Sequence, residues 1–184
     1  PAGLGHHDAL WRGLSNGMLD TIGTDHCPFT HAQKLMGKDN FTLIPNGAAG
    51  IEDRLAVLYT YGVCEGRFDL QRMVALGSTN AARIYGLYPR KGTVAVGADA
   101  DLVIYDPAAT GTRSARTHHS KSDRNIFEGY KIKGAVAKTI VNGRVQYADG
   151  KLDVQRGAGR FLARKLSTQR TPHPTGEMEM GRIG

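Results

Sequence analysis

The hydrophobic pattern of this chain changes period once, near Lys91, and that switch limits the folds open to it. Before it, apolar residues recur at helical spacing between short extended runs; after it they alternate. Helix-period and two-residue-period segments bury different faces, so the chain reads as α/β material followed by a small sheet. Residues 6–17 (HHDALWRGLSNG) set Leu10 and Leu14 four apart and end on Asn16-Gly17, a helix with a C-cap signal. Residues 19–24 (LDTIGT) read as a short buried strand closing on Asp25. Residues 50–66 place Ile51, Leu55, Leu58 and Gly62 on one helix face, with Glu52 and Asp53 in a first turn whose dipole favours acids. Residues 68–87 read as two helices, capped by Asp69 and by Ser78 or Thr79, with Gly86 as the stop.

In the second part, GTVAVG (92–97) and ADLVIYD (100–106) are expected to be strands joined by a Gly-Ala-Asp turn. KTIVNGRVQYADG (138–150) is a hairpin, because Asn142-Gly143 between β-branched runs favours the tight turn hairpins use. From about Arg164 periodicity disappears and Pro, Gly, Ser and Thr accumulate, so this tail is expected to be disordered or draped on a partner. The expected division is 1–90, 91–165 and 166–184, with no internal repeat.

At 184 residues the chain can hold one compact domain, or one domain and part of another. No apolar run reaches 18 residues, which argues against a membrane-spanning helix. The opening PAGLGHHDALWRG has neither an initiator Met nor the pattern of a signal peptide, and reads like the middle of a longer chain. Cys27 and Cys64 fit no CxxC pattern and are expected to be reduced thiols of a cytoplasmic protein. Of the net charge of +7, residues 151–184 supply +4, from seven Lys/Arg against three Asp/Glu. A solvated basic tail accounts for it, so no nucleic-acid partner is expected.

The stretch TIGTDHCPF (21–29) concentrates the chemistry. Asp25 follows the C-terminal end of a buried strand, the edge that faces ligands in α/β proteins. With Pro28 three residues on, a turn or N-cap role stays equally open. His26 and Cys27 point opposite ways on an extended segment, so at most one could join Asp25 on a common ion, and packing roles are expected. His6-His7 and His118-His119 lack the spacing that puts two imidazoles on one metal. In IPNGAAGIEDR (44–54), Asn46-Gly47 and Gly50 form a loop that either offers backbone groups to a small polar ligand or is an ordinary turn. Asp99 and Asp101 belong to a turn and read as structural. No nucleophile elbow of the G-x-S-x-G kind is expected, and there is no Walker or GxGxxG pattern, so acyl-serine, phosphoryl-transfer and dinucleotide chemistry have no support.

Taken together, ALWRGL, TDHCPF, GKDNFTLIPNGAAGIEDRL, STNAARIYGLYPRKGTVAVGADADLVIYDP, FEGYKIKGAVAKTIVNGRV and GRFLAR resemble the dihydropyrimidinase/hydantoinase family of the amidohydrolase superfamily. The resemblance covers nearly all of residues 8–165. It implies the C-terminal part of a (β/α)8 metal-dependent hydrolase barrel followed by a small β-sandwich domain. It also implies two divalent ions, usually zinc, held by a His-x-His pair, a carboxylated lysine, two further histidines and one Asp. By the motif that Asp is Asp25, which would ligate the more buried ion, take a proton from the attacking hydroxide and pass it to the leaving nitrogen. Asn46 is expected to meet the imide edge of the substrate through its main chain. The implied substrate is a small cyclic amide, a dihydropyrimidine or hydantoin opened to an N-carbamoyl amino acid, and the implied assembly a homotetramer.

A whole barrel needs about 250 residues, and the His-x-His pair, the lysine and the other histidines are not in this sequence. A C-terminal fragment without activity of its own is therefore expected. Alternatives are the collapsin response mediator proteins, which share the fold but act in assembly and generally lack that Asp; an allantoinase or dihydroorotase; and a free-standing β-sheet interaction module over residues 91–165.

Overall fold

The structure, a computed structural model, describes residues 4–167. Helix α1 spans Leu4–Asn16, and Gly17 beyond it has a positive φ of 90°, as the C-cap signal requires. Its inner face is not the expected Leu10/Leu14 pair. Leu14 is buried and Trp11 packs beside it, while Leu10 is exposed. The (i, i+3) pair prevails because the Trp11 ring stacks against Phe68, centroids 6.0 Å apart, and carries the Arg67 guanidinium on it.

The expected strand over residues 19–24 does not form, because no described segment runs alongside to accept a ladder. Helical side chains hold it instead. Arg72 donates from Nε to Leu14 O (2.7 Å) and from Nη2 to Leu19 O (2.9 Å). Asn80 Nδ2 donates to Asp20 O (2.9 Å), and the backbone N–H of Ile22 reaches Leu76 O (3.2 Å).

After short helix α2 (His31–Leu35), helix α3 (Arg54–Leu58) widens into a π-helical turn over Tyr59–Val63. Leu58 and Gly62 face inward and Leu55 packs on the core, as the pattern indicates, whereas Ile51 precedes the helix and is exposed. The acids do not sit inside the first turn. Asp53, 2% exposed, lies 3.3 Å from Arg113 Nε, and Glu52 binds His119. The expected pair of helices in residues 68–87 is one run: α4 (Leu70–Val74), a π turn (Ala75–Thr79) and α5 (Asn80–Ile84). Asp69 caps it by accepting from Arg72 N (2.7 Å), and Gly86 ends it with φ 69°. Thr79 does not cap, because its hydroxyl donates to Gly92 O (2.7 Å), and the chain absorbs Gly77-Ser78 as a widened turn rather than a break. The core they build is Leu14, Leu58, Phe68, Met73 and Leu76, the last with no exposed surface.

Residues 92–97, expected as a strand, are not one: Val94 and Val96 are exposed and nothing described pairs with them. Alternation marks a strand only where a neighbour completes its hydrogen bonds. The sheet is antiparallel, ordered β1 (Leu102–Thr112), β2 (Lys131–Val141), β3 (Arg144–Ala148), β4 (Lys151–Leu152). Asn142-Gly143 makes the expected tight turn, with φ of 50° and 77°, and Asp149-Gly150 repeats it at 50° and 75°. The β1–β2 register slips between Asp106 and Thr110, where Pro107, lacking an N–H, loses no ladder bond.

The π turn meets the sheet at Thr60. Its hydroxyl donates to Lys133 O (3.1 Å) and accepts from Lys133 N (2.9 Å), while Tyr61 Oη donates to Lys131 O (3.0 Å). Tyr59 stacks edge-on against Tyr105, centroids 5.1 Å apart, and burial pushes the Tyr105 phenol up to about 12. From the sheet, residues 153–167 run back to the end of α5, where Lys165 N donates to Gly86 O (3.1 Å). The tail expected over 166–184 lies outside the described residues except for its first two.

Asp99 and Asp101 hold the turn before β1. Asp99 accepts from Lys91 and Arg90, which lowers its carboxyl below the usual range. Burial acts against ionisation of Asp101, but bonds from Lys91 and Asn142 N prevail and lower it too. Burial would likewise lower Lys91, yet its two carboxylate partners raise it. A lowered carboxyl contributes stability above its unfolded pKa of about 3.9 and loses it as pH falls through the folded value. The melting temperature of wild type is therefore expected to exceed that of Asp101→Asn near neutrality and to converge with it below about pH 4. Thr60→Val keeps the shape but takes the Thr60 partner from Lys133 N and leaves Lys133 O only the longer bond from Tyr105 Oη (3.4 Å), and chemical denaturation should show a loss of about 2 kcal/mol.

Candidate active site

The segment bearing Asp25 meets the loop bearing Asn46 through a single parallel bridge, His26 to Ala48, with Cys27 N donating to Ala48 O (3.1 Å). Asp25 lies one residue before the bridge and Asn46 two before its other half, so both occupy the same end of this short pairing. The reason is local. His26 Nδ1 accepts from Gly50 N (3.1 Å) and Ile51 N (3.3 Å), which assigns its ring proton to Nε2 and commits the ring to the loop. Gly47 packs face-on to Cys27. A Cβ there would lie 2.4 Å from the Cys27 Cβ, and its φ is 101°. Histidine and cysteine thus shape the junction.

Asp25 has a left-handed φ of 41°, an uncommon conformation for a residue with a Cβ and one that concentrates at functional sites. Its side chain is exposed, and the carboxylate makes no hydrogen bond or ion pair with the described residues. Asn46 is exposed also, and neither its N–H nor its C=O is bonded among the described residues.

As an uncommitted hard oxygen donor, Asp25 fits the part of one ligand to a divalent cation. Among the described residues no group of three or more His, Cys, Asp or Glu side chains converges to hold an ion, so Asp25 belongs to no donor set among them. His118 and His119 are committed elsewhere, to Ser122 O (2.7 Å) and Glu52 Oε1 (2.8 Å). His6 and His7 are exposed on α1.

Several contacts around the site are long-range and were not read from the sequence. Ser122 Oγ donates to Phe29 O (3.1 Å), and Asp123 accepts from His31 N (2.8 Å), so the β1–β2 connection grips the turn after Pro28. Helix α2 did leave a signal: Thr30 and Gln33 form a capping box, the T-x-x-Q pattern before the run HAQKL. A second overlooked pattern, Gly13-Leu14-Ser15-Asn16-Gly17, has G-x-S-x-G spacing but ends α1 instead of making a strand-to-helix elbow, and Ser15 Oγ donates to Arg67 O (2.7 Å).

The sequence profile of the Amidohydrolase family matches residues 5–146. The chain belongs to that family. Within it, dihydropyrimidinase of Rattus norvegicus is 53% identical over 152 residues, which are 83% of this chain and 29% of the rat protein. D-hydantoinase of Geobacillus stearothermophilus is 44% identical over 160 residues, 86% of this chain and 34% of that protein. Among solved structures, D-hydantoinase (dihydropyrimidinase) from Thermus sp. superposes with a TM-score of 0.84 at 51% identity, covering 87% of this chain and 35% of that one. The resemblance to the dihydropyrimidinase/hydantoinase branch therefore holds, and the chain spans about a third of the length of these amidohydrolases.

The close approach at Gly47 makes a sharp prediction for this junction. Gly47→Ala puts a methyl into Cys27 at a positive φ, and should cost about 2 kcal/mol or more in denaturant unfolding. Gly159→Ala, where a Cβ meets nothing within 4 Å, is the matched control and should leave stability unchanged.

Proposed function

We propose that the protein, at the full length of its relatives, is a metal-dependent hydrolase that opens the ring of dihydropyrimidines or hydantoins to N-carbamoyl amino acids. The observation that carries this reading is the uncommitted, left-handed Asp25 carboxylate beside the Asn46 loop, in a chain 53% identical to a dihydropyrimidinase. Under this reading residues 1–90 contribute the last strand and helices of a (β/α)8 barrel and residues 91–165 a small β-sandwich, with the other metal ligands and the carboxylated lysine outside this sequence.

Two divalent ions, zinc by resemblance, would polarise the amide carbonyl and lower the pKa of a bound water to about 7. Asp25 would ligate one of them, accept the proton of the attacking water and return it to the departing ring nitrogen, a shuttle worth about 10²- to 10⁴-fold in rate. With no other partner among the described residues, the Asp25 carboxylate would have one oxygen for the ion and one for the proton. Asn46 would hold the imide edge of the ring by its main chain. A non-catalytic assembly role gives Asp25 no task, which favours the hydrolase. Assembly as a homotetramer and a cytoplasmic location belong to the same proposal. For the membrane, no described helix is long and apolar enough to cross one.

In a protein of the relatives' full length, Asp25→Asn should reduce hydrolysis of dihydrouracil or hydantoin by about 10³-fold or more, followed by loss of ring absorbance. Activity within tenfold of wild type would remove Asp25 from the proposed role. The adjoining upstream coding sequence should encode H-x-H, a strand-end lysine and two later histidines.

A further inference from the structure

Lys34, which neither composition nor motif singles out, grips the loop on both sides of Asn46. It lies on α2, and its Nζ donates to two carbonyls, Pro45 O and Gly47 O, the second at 2.7 Å, so the groups on both sides of Asn46 converge on one ammonium. The Phe29 ring lies beneath the same ammonium, its centroid 5.2 Å away, which fixes Lys34 from the side of the segment that carries Asp25.

This grip has a directional consequence. The only cis bond among the described residues is Tyr88–Pro89, so the Pro45–Asn46 peptide is trans. In a planar trans peptide the C=O and the N–H point to opposite sides. With Pro45 O turned to Lys34, the Asn46 N–H is turned away from it, and it is unbonded among the described residues. A cation on the carbonyl also polarises the peptide, which strengthens that N–H as a donor. On the far side the loop cannot swivel, because Gly47 is wedged against Cys27 and Ala48 O is bonded to Cys27 N.

We propose that Lys34 is a positioning residue that aims the Asn46 N–H at a ring carbonyl oxygen of the cyclic amide, on the edge remote from the attacked carbon. This rests on the hydrolase reading above. A contact of that kind holds ground state and transition state alike, so its loss raises KM and spares kcat.

The test compares wild type, Lys34→Met and Lys34→Arg in the metal-loaded protein of the relatives' full length, with dihydrouracil as substrate. K34M should raise KM about tenfold with kcat within about threefold and metal content unchanged, and Arg, which can also donate to both carbonyls, should recover most of the loss. Lys34→Leu, which also lacks a donor, serves the same comparison if K34M does not accumulate. A KM within twofold of wild type in a folded variant overturns the inference. So does a parallel fall in kcat and metal content, the mark of a merely structural residue. Amide exchange at residues 46–50 separates the two layers. If wild type opens no cyclic amide, the hydrolase reading falls; faster exchange in the variant would still establish Lys34 as the staple of this loop, and unchanged exchange would overturn that as well.

Discussion

The structure hinges on one residue of the π turn. Thr60 uses its single hydroxyl as donor and acceptor to the same peptide-bearing residue, Lys133, and so joins the helical part to the second strand of the sheet. The widened turn over Tyr59–Val63 thus meets the sheet through two bonds from one side chain. With that joint made, the long β1–β2 connection is carried over the loops, where Arg113, His119, Ser122 and Asp123 grip Asp53, Glu52, Phe29 and His31. The loop next to Asp25 is thus held from the sheet, although the two are about a hundred residues apart in sequence.

What was legible in the sequence was whatever local chemistry decides. Asn142-Gly143 specifies its turn because few other pairs tolerate two positive φ values, and Asp69 specifies a cap because its carboxylate reaches its own helix. Errors arose where an element depends on a partner. Residues 19–24 and 92–97 have strand composition, but a strand is a relation between two segments and composition describes one. The π turns were invisible for a related reason: Gly77-Ser78 looks like a helix break until Gly92 O is present to receive Thr79.

The candidate site divides in the same way. Asp25 and Asn46 were named from motif and resemblance, and the bridge between His26 and Ala48 brings their segments together. Nothing in the spacing of Lys34, Ser122 or Asp123 announces that they orient those segments, since their partners are backbone carbonyls and N–H groups, which every sequence possesses. Side chain–to–backbone contacts across long separations leave no compositional trace.

The outer edge of β1 carries a consequence for handling the molecule. Eleven residues of strand have hydrogen-bonding groups on a side that no described strand covers, and Val103 and Ile104 on it are exposed. Such an edge is a template for further strands, including those of identical chains, so a preparation limited to this stretch would tend toward self-stacking into aggregates. Pro107, set in the register slip, interrupts the row of donors midway and acts as a built-in guard against that growth.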